Sequence, residues 1–293
     1  MSAIPSTEET LARSVPAILQ ALAVAALLAV GILALRSARQ WRTRRELGER
    51  MASRPWAWPH ALFLLLLLFL GLLLGQFVLR TGSGRCAETG GASVPVVLAS
   101  FAVMYAIVLA GVFSMTGLRR GIWGSALGLE DGNLVRDVFR GCLGGLAVLP
   151  PLWLAQYADV RLLESLNLPI PEQAASQLLL QAIDSPWYLQ SLVVLVAVVL
   201  APTAEEIVFR GVLLPVLIRR MGVGPGILAA AFGFAALHVH LPSFLPLLVL
   251  ATGLGVAYVA WGSITVPIVM HAVYNLIQIV VLFPLRVEYG PSP

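Results

Sequence analysis

The residues best suited to chemistry lie in one stretch, APTAEEIVFRG at residues 201–211. Two adjacent glutamates, Glu205 and Glu206, and Arg210 fall within six residues of otherwise apolar sequence. A charged side chain in a bilayer costs about 2.5 to 3.5 kcal/mol even on lenient scales, so an intramembrane charge indicates function by default. On a helix, Glu206 and Arg210 are four residues apart and can pair. Glu205 points about 100° away and has no partner on its own helix, which suits a general base.

Three more polar residues, His238, His271 and Asn275, follow in apolar helical patterns. Phe234 lies one turn before His238, and His271 one turn before Asn275, so each pair shares a helix face. At 1.5 Å per residue, Glu205 and His238 lie about 24 Å from the turn between their helices, and Asn275 about 18 Å from the next turn on that side. The four polar groups therefore fall in one depth band, as a shared site requires.

Each of these residues also has a structural explanation when it is taken singly. A lone intramembrane histidine or asparagine often makes only an interhelical hydrogen bond. The Glu206–Arg210 pair neutralises its own charges, so we interpret it as structural support of the site. His60, at the mouth of an apolar run, is interpreted as interfacial, and His240, near the turn LPS, as uninvolved. Glu205 has no comparable structural explanation.

Composition indicates a membrane protein with several spans. The chain has 293 residues, of which 59% are hydrophobic and 12% charged, against about 25% charged in soluble domains. All 19 basic residues are arginines, so a lysine nucleophile is excluded. The arginines lie in loops between apolar runs, and no ATP-binding loop is present, so we expect neither a nucleic-acid nor a nucleotide partner. Cys86 and Cys142 are too few for a disulfide framework or a zinc ribbon.

The predicted fold is an all-α polytopic membrane bundle of about eight transmembrane helices. An apolar run of about 20 residues is long enough to span a bilayer, and the runs, in order, are 15–35, 57–79, 94–115, 138–154, one from 187 that carries the glutamates, 227–240, 244–261 and 266–283. Residues 158–186 are predicted to lie at the surface, partly as a short helix. The first run has no cleavage site typical of a signal peptide and is expected to remain as an anchor.

Arginine distribution predicts the orientation of the bundle. If loops 1–2, 3–4 and 5–6 are cytoplasmic, 13 arginines lie inside and 5 outside, with Arg210 in the membrane. Positive residues favour the cytoplasmic side. Both termini are then expected to lie outside, in what we interpret as a bacterial plasma membrane.

Three ordered motifs resemble those of the CAAX-protease and bacteriocin-processing (CPBP, or Abi) family. EEIVFR at residues 205–210, FAALH at 234–238 and HAVYN at 271–275 match its patterns EExxxR, FxxxH and HxxxN or HxxxD. The resemblance divides the chain into N-terminal helices with loops and a surface segment at 1–186, a catalytic core of helices 5–8 at 187–283, and a tail at 284–293. The first four spans carry no matching motif.

The resemblance implies a membrane-embedded peptidase with Glu205, His238, His271 and Asn275 as catalytic residues. The first glutamate of the family's first motif is held to activate water, and the histidines and asparagine shape the site. If a metal such as zinc takes part, its ligands would be Glu205, His238 and His271. In the metal-free alternative, which we favour, Glu205 and His238 polarise water while His271 and Asn275 stabilise the oxyanion.

The expected substrate is a membrane-bound or lipid-associated peptide or protein. Relatives in eukaryotes and archaea cut three residues from prenylated CAAX proteins, and bacterial relatives are linked to bacteriocin maturation and self-immunity. Two other classes stay open: a non-catalytic membrane scaffold or immunity protein, and a proton-coupled transporter. A transporter would show paired repeats with broken helices in both halves, whereas we expect all buried charge in the second half of this chain.

Overall fold

The computed structural model describes residues 44–85, 94–116, 120–129, 133–171 and 185–289, with isolated positions between 172 and 184. The described part is helical and contains no β-strand, which confirms the predicted all-α class. The helices are α1 (Arg44–Ala52), α2 (Trp58–Arg85), α3 (Val94–Thr116), α4 (Arg120–Leu127), α5 (Leu134–Ser165), α6 (Trp187–Met221), α7 (Val223–Leu237), α8 (Phe244–Trp261) and α9 (Thr265–Tyr289). A 3₁₀ turn, Leu241–Ser243, precedes α8.

Five of the described helices, α2, α3, α5, α6 and α8, are long and apolar enough to cross a membrane. Helix α7 and the Thr265–Val281 part of α9 are shorter apolar helices. These seven correspond to the predicted spans two to eight. The predicted first span, 15–35, lies outside the described residues, as do Cys86 and the end of the tail. Leucines exposed along α2, such as Leu66 and Leu74, suit a lipid-facing surface because lipid tails are as apolar as leucine.

The connections predicted to be cytoplasmic share one end of the bundle. Arg219, at the end of α6, donates to the carbonyl of Arg54, which lies just after α1. Arg54 in turn donates to the carbonyl of Gly262, after α8, and the backbone N–H of Ile264 donates to the carbonyl of Leu127, at the end of α4. The loops 1–2, 3–4 and 5–6 therefore do lie on the same side, as predicted.

The other end of the bundle differs from expectation in one segment. Residues 158–165, predicted to lie at the surface, continue α5 to Ser165, and Asp159 there is only 3% exposed because it accepts the N–H of Leu245 at 3.1 Å. At the end predicted to be cytoplasmic, Asp137 near the start of α5 is also buried, and it pairs with Arg140 at 3.2 Å. Both carboxylates lie on α5, which is the predicted fourth span, and they cap and pair within the fold. The expectation that all buried charge lies in the second half of the chain, from the fifth span on, is therefore wrong.

Glycines on α5 allow it to lie close against α9. A Cβ added to Gly141 would lie 2.5 Å from the Cβ of Val269, and one added to Gly145 would lie 2.8 Å from a methyl of Val273. Glycines four residues apart form the small-residue pattern through which membrane helices approach closely. The helix that carries His271 is thus positioned by an N-terminal span.

Helix α6 is not a regular α-helix around the two glutamates. Val196–Leu200 and Ile207–Leu213 are π-helical, and the α-helical segment Ala201–Glu206 lies between them. Single π-helical turns within α-helices are frequent at functional sites. The widened turns change which way each side chain points, so a uniform 3.6-residue helix only approximates the geometry here.

Candidate active site

Glu206 lies at the centre of a buried polar cluster. Its Oε1 accepts from Nη1 of Arg210 at 2.8 Å and from Nδ1 of His271 at 2.9 Å. Glu206 is 0% exposed and Arg210 1%. The predicted pair is therefore present, and it is extended by a histidine that arrives from α9. A carboxylate that accepts a hydrogen bond from one ring nitrogen fixes the orientation of an imidazole. Glu206 therefore fixes the direction in which the Nε2 of His271 points.

Arg210 connects three helices as well as carrying charge. Its Nη2 donates to the carbonyl of Ala251 on α8 at 3.0 Å. Its guanidinium also lies over the ring of Phe234 on α7, 4.8 Å from the centroid, at a distance typical of a cation–π contact. The arginine thereby joins α6, α7 and α8 at the level of the glutamates.

Phe234 brings the two motif histidines to one place. Its ring lies 4.7 Å from that of His238 and 5.8 Å from that of His271, measured between centroids. The Nδ1 of His238 lies 2.8 Å from the carbonyl oxygen of Phe234 and must donate, because a carbonyl only accepts. His238 therefore presents an unprotonated Nε2 when the ring is neutral. The predicted supporting role of Phe234 stays a prediction, but its position suits it.

Glu205 has a partner that no motif indicates. Its Oε1 accepts from the hydroxyl of Tyr105 on α3 at 2.9 Å, and the glutamate is 8% exposed. The sequence predicted no partner for Glu205 on its own helix, and Tyr105 lies 100 positions away in a run read only as a span. A lone tyrosine in an apolar run carries no spacing signal that could have singled it out.

Asn275 contacts α6 at one of its irregular turns. Its Nδ2 donates to the carbonyl of Ala197 at 2.8 Å. Within the π-helical segment, Ala201 N–H bonds the carbonyl of Val196, five residues back. The next residue, Pro202, has no N–H to give to Ala197. Asn275 supplies the missing donor and retains a second N–H, since an amide group carries two.

The other two histidines have local structural contacts. His60 accepts the N–H of Ala57 at the start of α2, and its ring lies edge-on to Trp56. His240 accepts from the hydroxyl of Ser243 at 2.8 Å and donates to a loop carbonyl at 3.0 Å. Neither histidine contacts the buried cluster through these bonds, and the interpretation of His60 as interfacial and of His240 as uninvolved stays a prediction.

The described residues contain no group of three His, Cys, Asp or Glu side chains arranged to hold a metal ion. Glu205, His238 and His271 thus do not form a ready ligand set in this conformation. Each of the three has one polar atom committed to the protein: Oε1 of Glu205 to Tyr105, Nδ1 of His238 to a carbonyl and Nδ1 of His271 to Glu206. Each histidine keeps its Nε2, which is the atom that chemistry in the site would use.

A helical bundle with spans of membrane length and a buried cluster of glutamate, arginine and histidine defines a polytopic membrane protein with a polar site inside its apolar core. Residues 187–277 match the family model of type II CAAX prenyl endopeptidases, Rce1-like. The similarity of these residues confirms the resemblance seen in the three motifs and indicates a membrane peptidase. The match spans α6 to α8 and the first half of α9. Neither the curated proteins nor the solved structures contain a significant match.

Proposed function

We propose that this protein is an intramembrane endopeptidase in which Glu205 activates the water that hydrolyses a peptide bond of a membrane-associated substrate. The observation that carries the proposal is the unequal setting of the two glutamates. Glu206 is 0% exposed and bonded to Arg210 and His271, so water cannot reach it. Glu205 is 8% exposed and accepts only from a neutral hydroxyl among the described residues. It therefore has the oxygen, Oε2, that a general base needs.

The remaining catalytic roles are suggested by the polar atoms of the site that make no hydrogen bond with a described residue. Water held between Oε2 of Glu205 and Nε2 of His238 loses a proton to Glu205, and its oxygen attacks the scissile carbonyl carbon. The oxyanion that forms would be stabilised by the second N–H of Asn275, and by Nε2 of His271 when that ring carries both protons. Glu205 then gives its proton to the departing amine, which completes hydrolysis.

We further propose that the reaction needs no metal, and that the substrate is a lipid-anchored or membrane-bound protein. The carboxylate-bonded Nδ1 of His271 and the carbonyl-bonded Nδ1 of His238 account for the orientation of both rings without an ion. A substrate held in the bilayer suits a site carried on helices of membrane length. The bacteriocin-related and CAAX-related activities of the family are both compatible with this chemistry.

Cleavage of a membrane-tethered peptide library in liposomes tests the proposal. Wild type is compared with Glu205→Gln, which keeps the shape of the side chain and removes the base. Glu164→Gln is the matched control, because Glu164 pairs with Arg161 at the exposed end of α5. We expect cleavage by wild type and the control and none by Glu205→Gln at equal expression.

Other outcomes of the same assay would favour other classes. No cleavage by wild type across the library would favour the scaffold or immunity alternative. Flux driven by a pH gradient in the same liposomes would favour the transporter. Wild-type turnover by Glu205→Gln would refute the assignment of the base.

A further inference from the structure

Among the described residues, Tyr105 is the one whose side chain donates a hydrogen bond to Glu205. It lies on α3, whereas the family match begins at residue 187. Its hydroxyl is 2.9 Å from Oε1 of Glu205, and its side chain is only 5% exposed. A tyrosine buried in a span usually needs a partner for its hydroxyl, and here that partner is the carboxylate assigned as the base.

The direction of this hydrogen bond determines what it does. An ionised carboxylate only accepts, so the phenol donates. Donation to one oxygen restrains a side chain with three rotatable bonds and commits Oε1 to the protein. The other oxygen, Oε2, makes no hydrogen bond with a described residue and is the one left to hold water.

Helix α3 is itself held firmly enough to place this hydroxyl. Met104, adjacent to Tyr105, packs onto Gly71 of α2 so closely that a Cβ added to the glycine would lie 2.1 Å from Cγ of Met104. Val108 and Val112, one and two turns further on, are 0% exposed. The tyrosine is therefore carried on a helix that packs against both α2 and α6.

We propose that Tyr105 is a positioning residue for Glu205, and that the working site consists of α3 together with α6, α7 and α9. The proposal rests on the proposed function, since it assigns a role relative to the base. It explains why a residue without any motif is buried against the first glutamate of EEIVFR. It also extends the catalytic unit beyond residues 187–283.

Tyr105→Phe tests the role, because it removes the donor and keeps the ring. We expect kcat to fall about 10- to 100-fold, the effect of losing one hydrogen bond to a charged group, while KM stays within about twofold of wild type. The matched control is Tyr157→Phe, at an exposed tyrosine of α5, which should keep wild-type kinetics. The full-length protein is assayed in liposomes with the same peptide substrate.

The outcomes separate this proposal from the proposed function. If Glu205→Gln is inactive but Tyr105→Phe keeps the wild-type kcat, the role of Tyr105 alone is overturned. A change in Tyr105→Phe that is confined to KM would also overturn that role. Active Glu205→Gln would overturn the proposed function. If Tyr105→Phe does not fold, 3-fluorotyrosine at position 105 keeps the volume and the donor but makes the phenol more acidic. The pH profile of kcat should then shift, and an unchanged profile would overturn the proposal.

Discussion

Glu205 and Glu206 are chemically identical neighbours that the fold uses differently. Glu206 points towards Arg210 and His271, whereas Glu205 points towards Tyr105 on another helix. The ion pair could be predicted from the sequence because it is a contact between residues four apart on one helix. The other two contacts join distant segments, and only the three-dimensional packing of α3 and α9 on α6 reveals them.

Arg210→Ala is expected to impair folding before it impairs catalysis. Removing one partner of a buried ion pair leaves the other charge unpaired and costs about 3 to 5 kcal/mol. Here it would also remove the bond to the carbonyl of Ala251. The expected result is a large loss of thermal stability and of yield in mild detergent. Arg161→Ala, which breaks the exposed pair with Glu164, should cost at most about 1 kcal/mol. Equal melting temperatures for the two variants would show that the buried pair contributes little in the membrane.

A requirement for a metal ion would be detected as a loss of activity on treatment with a chelator. If the reaction is metal-free, a membrane-permeant chelator should leave turnover unchanged, and Asn275→Ala should lower kcat on the order of 10² to 10³, as for one oxyanion donor. Turnover is measured in liposomes, with metal content determined on the same preparation. Stoichiometric metal that is lost together with activity on chelation, and restored with it, would contradict the metal-free mechanism.

At the scale of helices, the irregular turns of α6 were not predictable from its hydrophobic pattern. Pro202 removes one backbone donor, and the sequence permits either a kink or a π-helical turn as the response. The structure adopts the π-helical turn of Val196–Leu200 and satisfies the carbonyl of Ala197 with Asn275. The donor that satisfies this carbonyl comes from α9, so the sequence of α6 alone does not reveal it.

Gly145→Val is expected to separate α5 from α9 and thereby disturb the site. The added side chain would meet Val273 and the carbonyl of Met270, which a Cβ alone already approaches to 3.0 Å. Overpacking of this kind typically costs about 1 to 3 kcal/mol, and here it displaces the helix that carries His271 and Asn275. Gly224→Val, at a glycine with nothing within 4 Å of an added Cβ, is the control. Thermal stability and cleavage are measured for both, and wild-type cleavage by Gly145→Val would mean that α9 tolerates displacement.

For the whole molecule, hydropathy located each described span, because the bilayer imposes a length that the apolar runs must match. Helices α2 and α9 extend further than predicted, to Arg85 and Tyr289. The principal differences lie in α5, which extends to Ser165 and buries Asp159. A carboxylate that accepts a backbone N–H of another helix looks, in sequence, like any surface aspartate. Side chains that satisfy distant backbone groups are therefore the part of this fold that pattern alone misses.

The orientation of the bundle in the membrane follows from combining the arginine count with the structure. Connections at the ends of α1, α4, α6 and α8 share one side, and 13 of the 19 arginines were assigned to that side, against 5 to the other. This side should be cytoplasmic.

Single cysteines in a chain with Cys86→Ser and Cys142→Ser test it. Arg220→Cys, at an exposed residue in the last turn of α6, should react with an impermeant maleimide only in inside-out vesicles. Leu241→Cys, at a residue 57% exposed before α8, should react only in intact cells. Labelling of both positions from one side would contradict the shared-end topology, and a complete reversal would contradict the orientation while leaving the fold intact.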